Sequence, residues 1–201
     1  MADRATRKPR VPLVRYLEEG VEAGCDEAGR GCLAGPVCAA AVVLPPSFRH
    51  ELVRDSKTLS EGQRVRARAI IEAEALAYRV VMVGPREIDA LNILWASVRA
   101  MQLAVDGLPI RPDVLLVDGN RFEAMGSLPY ECCVGGDGRY LSIAAASILA
   151  KTYRDEHMQA LHAEYPEYGW DRNKGYPTKS HREAIARLGA TPWHRLSFTL
   201  V

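Results

Sequence analysis

The stretch Val21-Glu-Ala-Gly-Cys25-Asp26-Glu27-Ala-Gly29-Arg30-Gly31-Cys-Leu-Ala-Gly35-Pro-Val37-Cys-Ala-Ala-Ala-Val-Val-Leu44 decides the fold class. Two apolar runs, residues 21–25 and 37–44, flank a segment punctuated by Gly29, Gly31 and Gly35. That pattern predicts two buried strands joined as a hairpin. Downstream, Ser60 with Gln63 three residues later predicts a capping box opening a helix through about Ala77, followed by a strand at 78–83 that ends at Gly84-Pro85. Ile88, Leu91, Trp95, Val98 and Val105 are spaced to share one face of the next helix. Short apolar strands at 114–117 and 130–134 run into Asp118-Gly119 and Gly135-Gly136-Asp137, and helices are expected over 141–165 and 178–188. Strands interspersed with helices define an α/β sheet.

The chain has 201 residues, 48% hydrophobic and 25% charged, with a formal net charge of +1. These values fit one ordinary globular domain over 1–201 and exclude collagen-like, disordered and disulfide-scaffold classes. The uncharged run 31–48 is broken by Gly35, Pro36, Pro45 and Pro46, so no membrane helix is expected, and residues 11–14 are too short an apolar core for a secretory signal. A cytoplasmic protein follows as the expectation. The five cysteines lack metal spacing and read as reduced, mostly buried thiols. Charge is uneven: residues 1–15 form a basic arm expected to be mobile, and residues 168–195 carry six Lys/Arg against two acids, interleaved with aromatic residues. A basic, aromatic surface of that kind suits contact with a nucleic-acid backbone.

Asp26, Glu27, Asp118 and Asp137 all sit at strand ends or beside glycines. If their strands are neighbours, the carboxylates converge, and like charges at close range call for a cation between them, with hard oxygen ligands favouring magnesium or manganese. Any single Asp-Gly is more often only a turn residue, and adjacent strand positions face opposite ways, so Asp26 and Glu27 share a site only at a strand end, at a bulge or through a carbonyl. Residues 24–31 miss a phosphate-binding loop, because Arg30-Gly31 replaces the Lys-Ser/Thr pair. Gly29 and Gly31 instead allow close approach of a sugar-phosphate strand to the backbone. Ser147, Lys151, Arg154 and Met158 share a helix face; a Lys-Arg face is more often simply solvated, but following directly on Asp137 it also suggests phosphate contact. The histidines form no metal motif, and Cys25 reads as a buried strand thiol, not a nucleophile.

The run 24–37 closely resembles the signature of the bacterial ribonuclease HII family. Asp55-Ser-Lys-Thr-Leu-Ser60, Val117-Asp-Gly-Asn120, the segment from Ser142 to Lys151 with Arg154-Asp155, Lys174-Gly-Tyr-Pro-Thr178 and His194-Arg-Leu-Ser-Phe198 are similar to its later blocks, in order. The resemblance implies a ribonuclease H-like fold, a mixed five-stranded sheet flanked by helices with a helical C-terminal portion. It implies that Asp26, Glu27, Asp118 and Asp137 are catalytic acids holding two divalent cations, Mg²⁺ or Mn²⁺. The implied substrates are RNA/DNA hybrids and DNA duplexes containing ribonucleotides, nicked 5′ of a single ribonucleotide to leave 5′-phosphate and 3′-hydroxyl ends. The implied roles are ribonucleotide removal from DNA and RNA primer removal. Gly29, Arg30 and Gly31 match the loop that senses the ribose 2′-hydroxyl, and Tyr176 matches the tyrosine that stacks on the junction sugar. Lys57, Lys174, Ser147 and Lys151 are the further substrate-binding candidates, and residues from about 165 to 201 are expected to contact substrate. Cys32 and Asn173 depart from the family pattern without touching the acids. No obligatory protein partner and no membrane is implied, and a monomer is the default.

Overall fold

The structure is a computed structural model that describes residues 13–201. Most of the basic N-terminal arm, residues 1–12, lies outside the described residues. The expected hairpin is present as β1 (Glu22–Ala28) and β2 (Val37–Val43), antiparallel, with Gly24 opposite Val42 and Ala28 opposite Cys38. All of β2 is buried because both sheet faces are covered. Ala39, Ala41 and Val43 meet Ala96, Met101 and Ala104 on one side, while Ala40 and Val42 meet Ile71, Ala145 and Leu149 on the other.

β3 (Ala77–Val83) pairs antiparallel with β2, whereas β4 (Val114–Asp118) runs parallel to β1 and β5 (Tyr130–Cys133) parallel to β4. The result is a mixed five-stranded sheet in the order β3-β2-β1-β4-β5. The helices are α1 (Glu61–Glu74), α2 (Pro85–Leu91), α3 (Ile93–Asp106), α4 (Leu141–Glu164), α5 (Trp170–Asn173) and α6 (Lys179–Leu188). α3 packs on one face, α1 and α4 on the other. This is the α/β architecture the sequence predicts. No described helix is long and apolar enough to cross a membrane.

Local chemistry explains several boundaries. Ser60 accepts from the Gln63 amide while the Gln63 side chain accepts from the Ser60 amide, the capping box expected there, although α1 stops at Glu74. The first turns of α4 are rich in small residues, with Ser142, Ala144, Ala145, Ala146 and Ser147, and lie directly on β1: a Cβ at Gly24 would collide with the Ser142 and Ile143 backbone. Ile148 and Leu149 behind them are fully buried, and each contributes about 2–3 kcal/mol of apolar transfer energy.

One expectation fails. The single helix bearing the 88–105 stripe is two helices, because Asn92 adopts a left-handed φ of 64° and its Oδ1 accepts from the Leu94 and Trp95 amides, ending α2 and capping α3. Leu91 and Trp95 are consequently exposed, whereas Ile88, Val98 and Val105 of the stripe are buried as expected, with α3 adding Ala96, Ala100, Met101 and Ala104. At the C-terminal end, Leu33, Met158, Leu161, Trp170 and Ile185 form a separate apolar cluster, into which α5 places Trp170.

Candidate active site

β1 pairs with β4 only as far as Cys25 opposite Val117, so Asp26 and Asp118 are the next residues on two adjoining parallel strands. Both stand where the ladder ends, which is how successive strand residues come to serve one site. Beyond β5, Gly135 in the left-handed region turns the chain into the 3₁₀ turn Gly136–Gly138, and the Gly136 amide donates to Asp118 Oδ1 at 2.7 Å. Asp137 is thereby set beside Asp118. A cavity of about 280 Å³ is lined by Asp26, Glu27, Asp118, Ser147, Lys151 and Tyr176, with Ser56, Lys57 and Arg64 closing the remaining wall.

Its electrostatics are unbalanced. Burial, then the charges of Glu27 and Asp118, push the Asp26 carboxyl well above the usual carboxylate range. Glu27 is raised chiefly by burial, opposed by Arg30, whose Nη1 lies 3.2 Å from Glu27 Oε1. Asp118 is raised by burial, with the Asp137 charge adding to it against the Gly136 hydrogen bond. Lys57 Nζ donates to Asp137 Oδ2 at 3.0 Å, which raises the lysine pKa. Among the described residues no three His, Cys, Asp or Glu side chains are drawn together tightly enough to hold an ion by themselves. The donor chemistry nonetheless fits a hard divalent cation: four carboxylates, three of them destabilised in their charged form where they stand.

Of the other residues singled out from sequence, Ser147 Oγ and Ser56 Oγ lie 3.1 Å apart. Lys151 Nζ donates to Asp155 at 2.7 Å and sits 5.8 Å from the centre of the half-exposed Tyr176 ring. Arg30 stands at the flank, and Lys174, in a left-handed turn, is tied in by its backbone, its amide donating to the Trp170 carbonyl and its own carbonyl accepting from Arg154. Gly31 faces open space, but Gly29 does not: a Cβ there would run into the Arg154 guanidinium. Arg64 was missed; it donates to the Ser56 and Leu59 carbonyls and so holds the turn bearing Lys57, a role visible only once the turn folds back on α1.

Arg154 is the main correction. It is fully buried, as is Met158, so the helix face read as a phosphate surface is solvated only in part. Its guanidinium donates to the Pro36, Ala34 and Lys174 carbonyls at 2.9, 3.1 and 2.8 Å. Arg195, counted among the cations of the basic C-terminal portion, is also fully buried and donates to the Gly35, Arg30 and Gly29 carbonyls at 3.0, 2.8 and 2.7 Å. The irregular segment between β1 and β2 turns carbonyls inward, and a guanidinium fork supplies enough donors to satisfy them. The five cysteines are free, and burial pushes the Cys25 thiol well up, which removes it as a nucleophile.

A mixed five-stranded sheet with acids at the ends of adjoining central strands places the protein in the ribonuclease H-like class. The ribonuclease H2 of Pyrococcus horikoshii superposes with a TM-score of 0.77 at 27% identity, covering 90% of this chain and 94% of that one. The family model described as Ribonuclease HII matches residues 23–201. Proteins named Ribonuclease HII from Bacteroides thetaiotaomicron and Phocaeicola vulgatus are 60% and 61% identical over 190 residues, covering 94% of this chain and 95% and 94% of theirs. The chain belongs to the ribonuclease HII family and is a ribonuclease H, an enzyme acting on RNA/DNA hybrids.

Proposed function

We propose that the enzyme hydrolyses the RNA strand of RNA/DNA hybrids and also nicks duplex DNA 5′ of a single embedded ribonucleotide, leaving 5′-phosphate and 3′-hydroxyl ends. The observation that carries this reading is the one cavity in which Asp26, Glu27 and Asp118 face Lys57, Lys151 and Tyr176. Asp26, Glu27, Asp118 and Asp137 are the residues that would hold two divalent ions, Mg²⁺ or Mn²⁺. When bound, such ions activate a water and stabilise a departing 3′ oxygen.

The remaining work falls to the chain itself. Lys57 and Lys151 supply ammonium groups that neutralise backbone phosphates, positioning the duplex without reading bases. Ser56 and Ser147 fix the wall between them. The half-exposed Tyr176 ring offers a flat face to a sugar, and Arg30 with the open backbone at Gly31 approaches the ribose 2′-hydroxyl, the group that separates RNA from DNA. With Arg195 internal and Arg182 donating to the Thr199 and Leu200 carbonyls, Arg172, Lys179 and Arg187 are the exposed cations left for substrate in the C-terminal portion, with the partly exposed Lys174 two residues before Tyr176. Substrates of this kind fit a role in removing ribonucleotides and RNA primers from DNA.

The test compares an end-labelled DNA duplex carrying one ribonucleotide with an all-DNA duplex and an RNA/DNA hybrid, in Mg²⁺, Mn²⁺ or EDTA, beside Asp118→Asn. A metal-dependent nick 5′ of the lone ribonucleotide, absent from the variant, is expected. Cleavage of the long hybrid alone would remove Arg30 and Tyr176 from their assigned roles. Cleavage that persists in EDTA would remove the metal from the mechanism.

A further inference from the structure

We infer that Arg195 and Arg154 are positioning residues that set specificity for a lone ribonucleotide, by clamping the two segments that present Arg30-Gly31 and Tyr176. The inference rests on the reading of those segments given under Proposed function. The segment from Gly29 to Pro36 and the segment around Gly175 have little regular pairing. Leu33 and Ala34 amides donate to the Gly175 carbonyl, and the Arg195 amide donates to the Leu33 carbonyl at 2.9 Å. To these, and to the Gly35 amide donating to the Trp193 carbonyl, is added a pair of guanidiniums bonded to six carbonyls. Arg195 takes Gly29, Arg30 and Gly35; Arg154 takes Ala34, Pro36 and, across the gap, Lys174. Arg154 thus ties the hairpin loop to the residue two before Tyr176.

The consequence follows from peptide geometry. In a trans peptide the C=O and the following N–H point opposite ways. With the Gly29 and Arg30 carbonyls turned inward onto Arg195, the Arg30 and Gly31 amides are turned away from it, and a Cβ added at Gly31 would meet nothing within 4 Å. Neither amide donates to another described residue. Neither buried cation has a carboxylate bonded to it, so each guanidinium is given over entirely to backbone carbonyls. A fork of fixed geometry is a good way to hold several carbonyls at fixed spacing.

Displacing a positioned group by about 1 Å costs on the order of 10²-fold in rate. A lone ribonucleotide offers one productive register, whereas a continuous hybrid offers many, so loosening this clamp falls mainly on the former. Arg195→Lys keeps the charge and loses the fork. Its kcat/KM on the single-ribonucleotide duplex should fall about 10- to 100-fold and that on the long hybrid less than about 3-fold. Asp89→Ala is a second variant at the surface: Asp89 accepts from the Leu196 and Ser197 amides and anchors the strand of chain that carries Arg195. It leaves the guanidinium in place and should shift the same ratio about 3-fold in the same direction, whether or not Arg195→Lys folds. Parallel losses on both substrates, tracking thermal stability, would make the arginines structural only and overturn the inference, as would an unchanged ratio in Asp89→Ala. A wild-type enzyme that spares the single-ribonucleotide duplex would instead overturn the proposed function on which the inference stands.

Discussion

Asp26 and Arg195 are both buried charges close to one cavity, yet their surroundings are opposite in kind. Burial, and then the charges of Glu27 and Asp118, oppose the ionisation of Asp26 and outweigh the hydrogen bonds from the Glu27 amide and Ser147 that favour it. Arg195 lies among carbonyls, each of its three donor nitrogens bonded within 3.0 Å, and although burial lowers its pKa to about 10 it stays charged at neutral pH. Glu22, on the same strand as Asp26 and equally buried, shows what a satisfied acid looks like there: it accepts from the Tyr16 and Leu17 amides and from Ser142 Oγ. Burial of charge is therefore not what marks the functional group. Lack of compensation by the protein's own atoms is, because that deficit leaves something for a ligand to supply.

The largest effect that separates the two regions is expected from Asp26→Asn. On the proposed mechanism it should reduce cleavage by about 10⁴-fold or more, since it removes a metal-holding oxygen charge. In EDTA the same variant should be as stable as wild type or more so, because a neutral isostere ends the repulsion with Glu27 and Asp118. Rate assays paired with urea unfolding check both halves. A loss of several kcal/mol in stability would mean that Asp26 is a structural acid like Glu22.

Arg154→Met reverses the pattern on the other side. It strands the Pro36, Ala34 and Lys174 carbonyls, and breaking a buried charged network of this kind costs about 3–5 kcal/mol of stability. Urea unfolding of the variant measures that cost. A change below about 1 kcal/mol would show that water reaches those carbonyls and that the guanidinium is not the clamp it is taken for.

The two regions also differed in how far they could be read from sequence. The acids were legible because each follows an apolar run or stands beside a glycine, which is a local property, although Asp26 and Glu27 turn out to lie inside β1, just past its pairing with β4. The hairpin, the capping box and α4 were legible for the same reason. Arg154 and Arg195 were not, since a charged residue on a helix or in a tail is by default solvated, and what makes these two internal is carbonyls more than 100 residues away in the chain. Local pattern also gave no warning at Asn92, where apolar spacing continues across a residue whose left-handed backbone breaks the helix. The pairing of Lys57 with Asp137 joins residues 80 apart and is likewise a product of the folded chain.

The smallest of the expected effects is a difference in the sign of the response to acid. In the C-terminal portion, the Thr191 amide donates to His194 Nδ1, so the His194 proton is on Nε2 and faces His181 Nε2 at 3.3 Å, which already accepts from Trp170 Nε1. His181 Nδ1 donates to the Tyr176 carbonyl. Burial is the main force lowering both imidazoles, and another proton would in addition have to enter between groups that are both donating; His181 is lowered and His194 falls to about 4. The unfolded chain therefore binds protons more readily than the native one between about pH 6.5 and 4, and stability contributed by this pair is lost as pH falls through that window. Asp26, Glu27 and Asp118 act oppositely, because their raised values make the native state the better proton acceptor as pH falls toward the ordinary carboxylate range. In EDTA the two slopes offset in the wild type. Asp26→Asn removes the Asp26 share of the second slope and should lose on the order of 1 kcal/mol more than wild type on going from about pH 6.5 to 4.5, as read by urea unfolding at a series of pH values. A variant that loses less than wild type would show that the strand-end acids are compensated after all, and the contrast between the two regions would collapse.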